Sequence, residues 1–150
     1  MRSVYVYLKS APLTDVSEWL TRNCVYQGID SPWLVVKEND PVMYIRIEPG
    51  NEYMAFMAKH DCEDEIEAVV QAFGGPPSLV IIVDISGRHD GTSEVHDLMK
   101  GLLSTYDGYA QDDFSEHLWS YEQIADSSEY AGHPFFDFKG WYREDRKSQQ

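Results

Sequence analysis

Apolar residues recur along this chain with two different spacings, and each spacing predicts one kind of structural element. Alternating apolar positions and short unbroken apolar runs predict β-strands, whereas apolar residues three and four positions apart predict helices. The predicted strands cover residues 4–8, 33–36, 42–47, 79–83 and 109–111, with a further strand over 53–57. The predicted helices cover about residues 14–23, 61–73, 92–106 and 121–125. We therefore expect an α/β fold bordering on α+β, with one mixed β-sheet of about five or six strands and three to four helices.

Polar residues and glycine mark several of the predicted helix ends. Asp15 with Glu18, and Ser120 with Gln123, have the spacing of a capping box, in which two residues satisfy each other's free backbone N–H groups. Gly74 follows the second predicted helix, where a residue with a left-handed backbone commonly ends a helix. These signals predict two capped helix starts and one glycine-terminated helix.

The order of the later elements predicts a single domain built around a central strand. Residues 79–83 are aliphatic without interruption, which is typical of a strand covered on both faces of a sheet. Because a helix and the strand at 109–111 follow, these elements are expected to form a right-handed parallel unit. Residues 135–142 are too aromatic for a solvated terminus and should pack on the body of the domain, whereas we expect disorder over about 143–150.

Acidic residues outnumber basic ones, and this narrows the class of partner. The sequence has 26 Asp and Glu residues against 12 Lys and Arg residues, a formal net charge of −14. Nucleic acid and anionic membranes repel such a chain, so a basic protein is the expected partner.

Cys24 and Cys62 are too few for a disulfide framework and lack the spacing of a zinc site. The sequence shows no signal peptide and no long apolar stretch, so the cytosol is the expected compartment.

The sequence contains no complete catalytic or cofactor motif. Residues 83–87 partly match the aspartyl-phosphate strand of haloacid-dehalogenase-type phosphatases and the D-x-S-x-S metal loop, but Ser86 and Arg88 stand where those patterns require Asp and Ser. The histidines are scattered and form no H-E-x-x-H pair. We therefore predict no catalytic, cofactor-binding or metal-binding residues. The alternative is a small metal-dependent hydrolase or phosphatase-like enzyme that uses the loop after the strand at 79–85. That alternative requires at least two of four side chains to converge: Asp84, His89, His96 and Asp112.

Carboxylates and aromatic residues are concentrated in the second half of the chain. Residues 112–119, with the sequence D-D-F-S-E-H-L-W, combine both types, and residues 132–142 add more aromatic side chains. Aromatic residues give a large contact area at low entropic cost, and carboxylates pair with Lys or Arg on a partner. This composition is typical of a docking face for a basic protein.

Three segments carry a resemblance to a known class of protein: residues 84–88, residues 112–119, and residues 132–137 together with 140–142. Together they resemble small immunity proteins of bacterial polymorphic-toxin systems, which are encoded beside contact-dependent, Rhs-type or type VI-delivered toxins. The resemblance covers about the last half of the chain and assigns no catalytic residue. It implies a cytosolic protein that binds and neutralises a cognate toxin domain.

An acidic immunity protein would meet a basic toxin domain, such as a nuclease, by steric and electrostatic occlusion. Asp112, Asp113 and Glu116 are the leading predicted contacts, and Trp119 is the predicted apolar anchor. A second acidic cluster provides the next choice of contacts: Asp61, Glu63 and Asp64. A self-associating adaptor protein is a further alternative, and the oligomeric state is left open.

Overall fold

The computed structural model describes residues 1–28, 30–60 and 62–148, over which strands and helices alternate along the chain. The strands are β1 (Arg2–Leu8), β2 (Val25–Tyr26), β3 (Trp33–Lys37), β4 (Asp40–Pro49), β5 (Leu79–Ile85), β6 (Gly108–Asp112), β7 (Glu129–Tyr130) and β8 (His133–Pro134). The helices are α1 (Leu13–Asn23), α2 (Gly50–Lys59), α3 (Glu63–Phe73), α4 (Thr92–Thr105), α5 (Tyr121–Ala125) and α6 (Phe138–Ser148).

Six strands form one sheet in the order β2-β3-β4-β5-β1-β6, and β7 and β8 form a separate two-stranded sheet. Every neighbouring pair in the large sheet is antiparallel, so the expected mixed sheet is an antiparallel one. Strands β5 and β6 do run in the same direction, because each is antiparallel to β1, which lies between them. The chain is a single α+β domain, which confirms the predicted fold class.

The two faces of the large sheet bury separate cores, because side chains alternate between the faces along each strand. Helices α1 and α4 pack on one face and enclose the larger core. Helices α2 and α3 pack on the other face over a smaller core that contains Tyr7, Val80 and Ile82. Strand β5 contributes to both cores and lies inside the sheet, as its unbroken aliphatic run predicted.

Residues 53–57, predicted to form a strand, lie in helix α2, so that prediction is wrong. Tyr53, Met54 and Met57 have a spacing that suits a helix, and they pack against the smaller core. The helix begins at Gly50, directly after β4, where a Cβ atom would lie 1.8 Å from the carbonyl oxygen of Pro77. Only a glycine fits this close approach of two backbone segments.

The predicted helix ends differ in outcome. Ser120 and Gln123 form the capping box: the Gln123 backbone N–H donates to Ser120 Oγ over 3.2 Å, and the Ser120 N–H donates to Gln123 Oε1 over 3.1 Å. Gly74 ends α3 with a left-handed backbone, at a φ of 75°. The capping box predicted at Asp15 does not form, because α1 begins earlier, after Pro12.

The C-terminal segment packs on the domain and continues as a helix. Phe135 and Phe136 are buried in the larger core, as the aromatic composition predicted. Helix α6 then continues to Ser148, so residues 143–148 are helical where disorder was expected, and residues 149–150 lie outside the described residues. Among the described helices, none is both long enough and apolar enough to cross a lipid bilayer.

Candidate binding groove

One end of the sheet face beneath α2 and α3 is open and forms a groove of about 880 Å³. Its floor is a row of four side chains from neighbouring strands: Gln111 of β6, Tyr5 of β1, Ile82 of β5 and Arg46 of β4. This row follows from the strand register, which aligns Gln111 with Tyr5 and aligns both Tyr5 and Arg46 with Ile82. We name this cavity the acidic groove, for the charges described next.

Helices α2 and α3 form one wall of the acidic groove, and the loop after β6 forms the other. Helix α2 contributes Glu52 and Phe56, and helix α3 contributes Glu65 from its first turn. The loop contributes Asp113 and Glu116, which are both exposed. Three elements that are distant in sequence therefore present carboxylates to one cavity.

The charge of the acidic groove is strongly unbalanced. The solvent-facing carboxylates that line it are Glu48, Glu52, Glu65, Asp113 and Glu116. Among the described lining residues, the one basic side chain is Arg46, which pairs with Asp84 at 3.1 Å and with Glu48 at 3.5 Å. No ion pair with a basic side chain is found within the described residues for the carboxylates of the two walls. Within the described residues, no Lys or Arg side chain therefore pairs with the wall carboxylates, although the charge of the N-terminal ammonium group acts on Asp113.

The negative charges of both walls and of the floor act on Tyr5. Burial raises the pKa of Tyr5, and the charges of Asp113, Asp84 and Glu65 raise this pKa further. Although the Asp113 residue is exposed overall, partial burial of its carboxyl group and the charges of Asp112 and Asp84 raise its pKa. A hydrogen bond of 2.6 Å from the Ser3 backbone N–H and the charge of the N-terminal ammonium group oppose this change. The arrangement concentrates negative potential over an aromatic ring, so it favours a cation above the floor of the groove.

The structure places several predicted contact residues at this groove. Asp113 and Glu116 line it directly. Glu63 and Asp64 are exposed on the first turn of α3, beside the lining residue Glu65, whereas Asp61 lies outside the described residues. Asp113 and Glu116 of the first predicted cluster therefore line the acidic groove, whereas Glu63 and Asp64 of the second lie next to a lining residue and do not line the groove themselves.

Sequence reasoning missed the floor and the α2 wall of the groove. Arg46 and Glu48 alternate with apolar residues along β4, and this alternation was a signal that they share one face of the sheet. Glu52 and Phe56 were missed because residues 53–57 were predicted to form a strand. No sequence signal showed that α2 would lie beside Tyr5.

Asp112, a leading predicted contact, is buried and only 3% exposed. Its Oδ1 accepts from the Phe114 backbone N–H over 3.1 Å, and its Oδ2 accepts from the Phe136 N–H over 2.9 Å. Burial raises the pKa of Asp112, although the backbone hydrogen bonds oppose this change. Phe136 has a φ of 59°, in the left-handed region, so Asp112 helps to hold an unfavourable backbone conformation. Asp112 therefore has a structural role: it is also among the residues that line the acidic groove, but it is buried and does not present the exposed carboxylate that was predicted.

Trp119, the predicted apolar anchor, is also buried and only 2% exposed. Its backbone extends the edge of the sheet by exchanging two hydrogen bonds with Ala110, of 2.7 and 2.9 Å. Its ring packs edge-on against His117 and Phe135. A partner cannot reach this side chain while the domain is folded, so Trp119 belongs to the core and not to a contact surface.

The segment at 132–142 also has a structural role. Buried His133 donates a hydrogen bond from Nδ1 to the Asp137 carboxylate over 2.8 Å and stacks on Trp141. Its Nε2 lies 2.8 Å from the Glu144 carboxylate, a distance that suits an ion pair. Burial lowers the pKa of His133, but Asp137 and Glu144 outweigh burial and raise this pKa overall. Asp137 additionally accepts from the Gly140 N–H over 3.2 Å at the start of α6. The segment therefore fixes α6 to the domain.

The side chains that the enzymatic alternative requires have separate partners. Asp84 binds Arg46 and accepts from the Ser3 hydroxyl over 2.7 Å. His89 pairs with Asp40 at 2.6 Å, and His96 bonds the carbonyl oxygen of Phe135 over 2.9 Å. Within residues 1–28, 30–60 and 62–148, no three His, Cys, Asp or Glu side chains are grouped so that they could hold a metal ion. Each of the four side chains thus bonds a group outside the set, Asp112 through the backbone N–H groups of Phe114 and Phe136.

Comparison of the chain with protein-family models, with curated proteins and with solved structures finds no match. The resemblance to immunity proteins therefore depends on residues 84–88, 112–119 and 132–137 with 140–142 alone. The hydrogen bond from Phe136 to Asp112 joins the last two of these segments in the fold. The segments thus describe how the C-terminal part packs, whereas the acidic groove lies mainly on other residues.

Proposed function

We propose that this protein is an immunity protein that binds a basic toxin domain in the acidic groove and neutralises it. The observation that carries the proposal is the charge of the groove: five solvent-facing carboxylates line it, and Arg46 is its one basic side chain among the described residues. A cavity of about 880 Å³ in an open sheet face accommodates side chains from a protein surface. The resemblance of the C-terminal segments to immunity proteins supports the class of partner.

The proposed mechanism is steric and electrostatic occlusion. A nuclease-type toxin binds nucleic acid through clustered Lys and Arg residues, so its functional surface is complementary to a negatively charged groove. Binding there covers that surface and keeps the nucleic acid away. Complementary fields also speed the encounter of two proteins, which matters when a lethal enzyme must be captured quickly in the cytosol.

The proposal is tested by reversing charges inside and outside the groove. The groove variant is Asp113→Lys with Glu116→Lys, and the control variant is Glu18→Lys with Asp97→Lys, on the two helices that pack on the opposite sheet face. Both variants change the net charge equally. The partner to test is the C-terminal domain of the protein encoded directly upstream, which the proposal expects to be a toxin, and stopped-flow fluorescence measures its association rate with each variant.

We expect the groove variant to associate at least about tenfold more slowly than wild type near 0.05 M salt, and the control variant to change the rate much less. The difference should shrink near 0.5 M salt, where charges are screened beyond about 4–5 Å. Equal slowing by both variants would show that net charge, and not the groove, governs association. Failure of the wild-type protein to bind the toxin or to protect cells that produce it would refute the proposal.

A further inference from the structure

The floor of the acidic groove already holds a guanidinium group. Arg46 extends from β4 with its side chain 37% exposed; its Nη1 atom contacts Asp84, and its Nε atom contacts Glu48. Because two carboxylates at the floor already bind this guanidinium, the floor is suited to a cation of the arginine type. Arg46 pairs with these two carboxylates only. The acids of the α2, α3 and loop walls therefore have no Lys or Arg partner among the described residues.

Aromatic rings line the cavity beside those unpaired carboxylates. Tyr5 and Tyr53 pack with their ring centroids 6.5 Å apart, and Phe56 lies on the α2 wall with 57% of its surface exposed. A planar guanidinium stacks on such rings and forms paired hydrogen bonds with carboxylates. The compact ammonium of lysine is more strongly hydrated and lacks the planar shape for stacking. The combination of ring faces and acids favours arginine over lysine.

We propose that the acidic groove binds an arginine side chain of the partner in preference to lysine, stacked over Tyr5 between Glu65 of α3 and Asp113 of the loop wall. This inference depends on the proposed function, because it specifies which residue of the basic partner enters the groove. The arginine is placed over Tyr5 because the charges of Glu65 and Asp113, one from each wall, both act on this residue. Asp84 contributes from the floor, where Arg46 already neutralises it in part.

The test compares three synthetic peptides that differ only in the cation: acetyl-(Gly-Arg)4-amide, acetyl-(Gly-Lys)4-amide and the citrulline analogue, which has the shape of arginine without its charge. Nuclear magnetic resonance titration of the full chain at about 0.15 M salt gives the affinities and maps the bound residues. We expect the arginine peptide to bind at least about fivefold more tightly than the lysine peptide, with shifts at Tyr5 and Asp113. The citrulline peptide should not bind.

Ring-deletion variants separate stacking from charge. Tyr5→Leu should reduce the preference for arginine to less than about twofold, while Tyr26→Leu, which removes an exposed ring outside the groove, should leave it unchanged. Phe56→Ala removes an exposed ring of the groove and serves as the second deletion if the Tyr5 variant does not fold. Glu65→Gln should weaken the binding of both cationic peptides, because it removes charge and leaves the rings in place.

Equal affinities for the arginine and lysine peptides would overturn the inference, and so would the absence of arginine binding or a preference that survives both ring deletions. These outcomes are distinct from failure of the proposed function. A chain that captures the toxin without any preference for arginine refutes only the inference. A chain that prefers the arginine peptide but does not capture the toxin refutes the proposed function.

Discussion

Replacement of buried Asp112 by alanine should destabilise the domain strongly. The substitution removes the acceptors of two backbone N–H groups, those of Phe114 and Phe136, and the second bond is fully buried. A hydrogen bond to a charged acceptor contributes about 1.5–3 kcal/mol to stability. Removal of the carboxylate also removes the free-energy cost of burying its charge, which offsets part of the loss. We therefore expect a net loss of about 3 kcal/mol in the free energy of unfolding. For a chain of this length, that loss lowers Tm by about 6–12 °C.

Urea unfolding followed by circular dichroism measures this loss as a lower midpoint at unchanged slope. The matched control is Glu116→Ala, because Glu116 is an acidic residue on the loop that follows Asp112 but is exposed. The control should stay within about 0.5 kcal/mol of wild type. Asp112→Asn, which keeps one acceptor oxygen, should fall between the two. If Asp112→Ala unfolds at the same urea concentration as the control, the assignment of Asp112 as a structural acceptor is incorrect.

Two further predictions concern pH and backbone contact. Because its carboxylate neighbours raise the pKa of His133 in the folded state, its protonation stabilises the domain below the unfolded pKa of about 6.5, and this contribution is lost as pH rises through the folded value. The stability difference between wild type and His133→Asn should therefore shrink from pH 6 to pH 8 in urea titrations, and a constant difference would contradict the role of its charge. Gly50→Ala should cost about 3 kcal/mol, because the new Cβ would meet the Pro77 carbonyl oxygen 1.8 Å away. Gly75→Ala, where no atom lies within 4 Å, is the control, and equal urea midpoints would show that the Pro77 segment moves aside.

The fold could be predicted where one local signal was decisive. Strand β5 is aliphatic on both faces, and Ser120 with Gln123 forms a complete capping box, so neither depended on distant contacts. Helix α2 was missed because its apolar residues form one unbroken run from Tyr53 to Ala58, which suits a short strand as well as a helix. Packing of Tyr53 and Met54 on the sheet decides between the two, and this packing is a tertiary effect that a local pattern does not contain.

The candidate site was predictable in composition but not in detail. Asp112 and Asp113 are adjacent and chemically identical, yet one is buried and the other is exposed. The register explains the difference: Asp112 pairs with Val4, whose side chain enters the larger core, so Asp113 turns toward the opposite face. Without the pairing of β6 with β1, the sequence does not reveal which of the two aspartates faces solvent. The same register places Gln111 on the groove floor.

The dimensions of helices and strands explain why a groove exists at this end of the sheet. Strand β4 has 10 residues and spans about 33 Å, whereas helix α2 has the same number of residues and spans about 15 Å. A pair of such short helices covers only part of the face, so the rest of it must meet solvent or a partner. Neutral polar side chains would be sufficient for a surface that only contacts water, whereas clustered carboxylates repel one another and oppose folding. The walls nevertheless carry Glu52, Glu65, Asp113 and Glu116 without a basic partner among the described residues, which favours a binding role for this charge over a structural one.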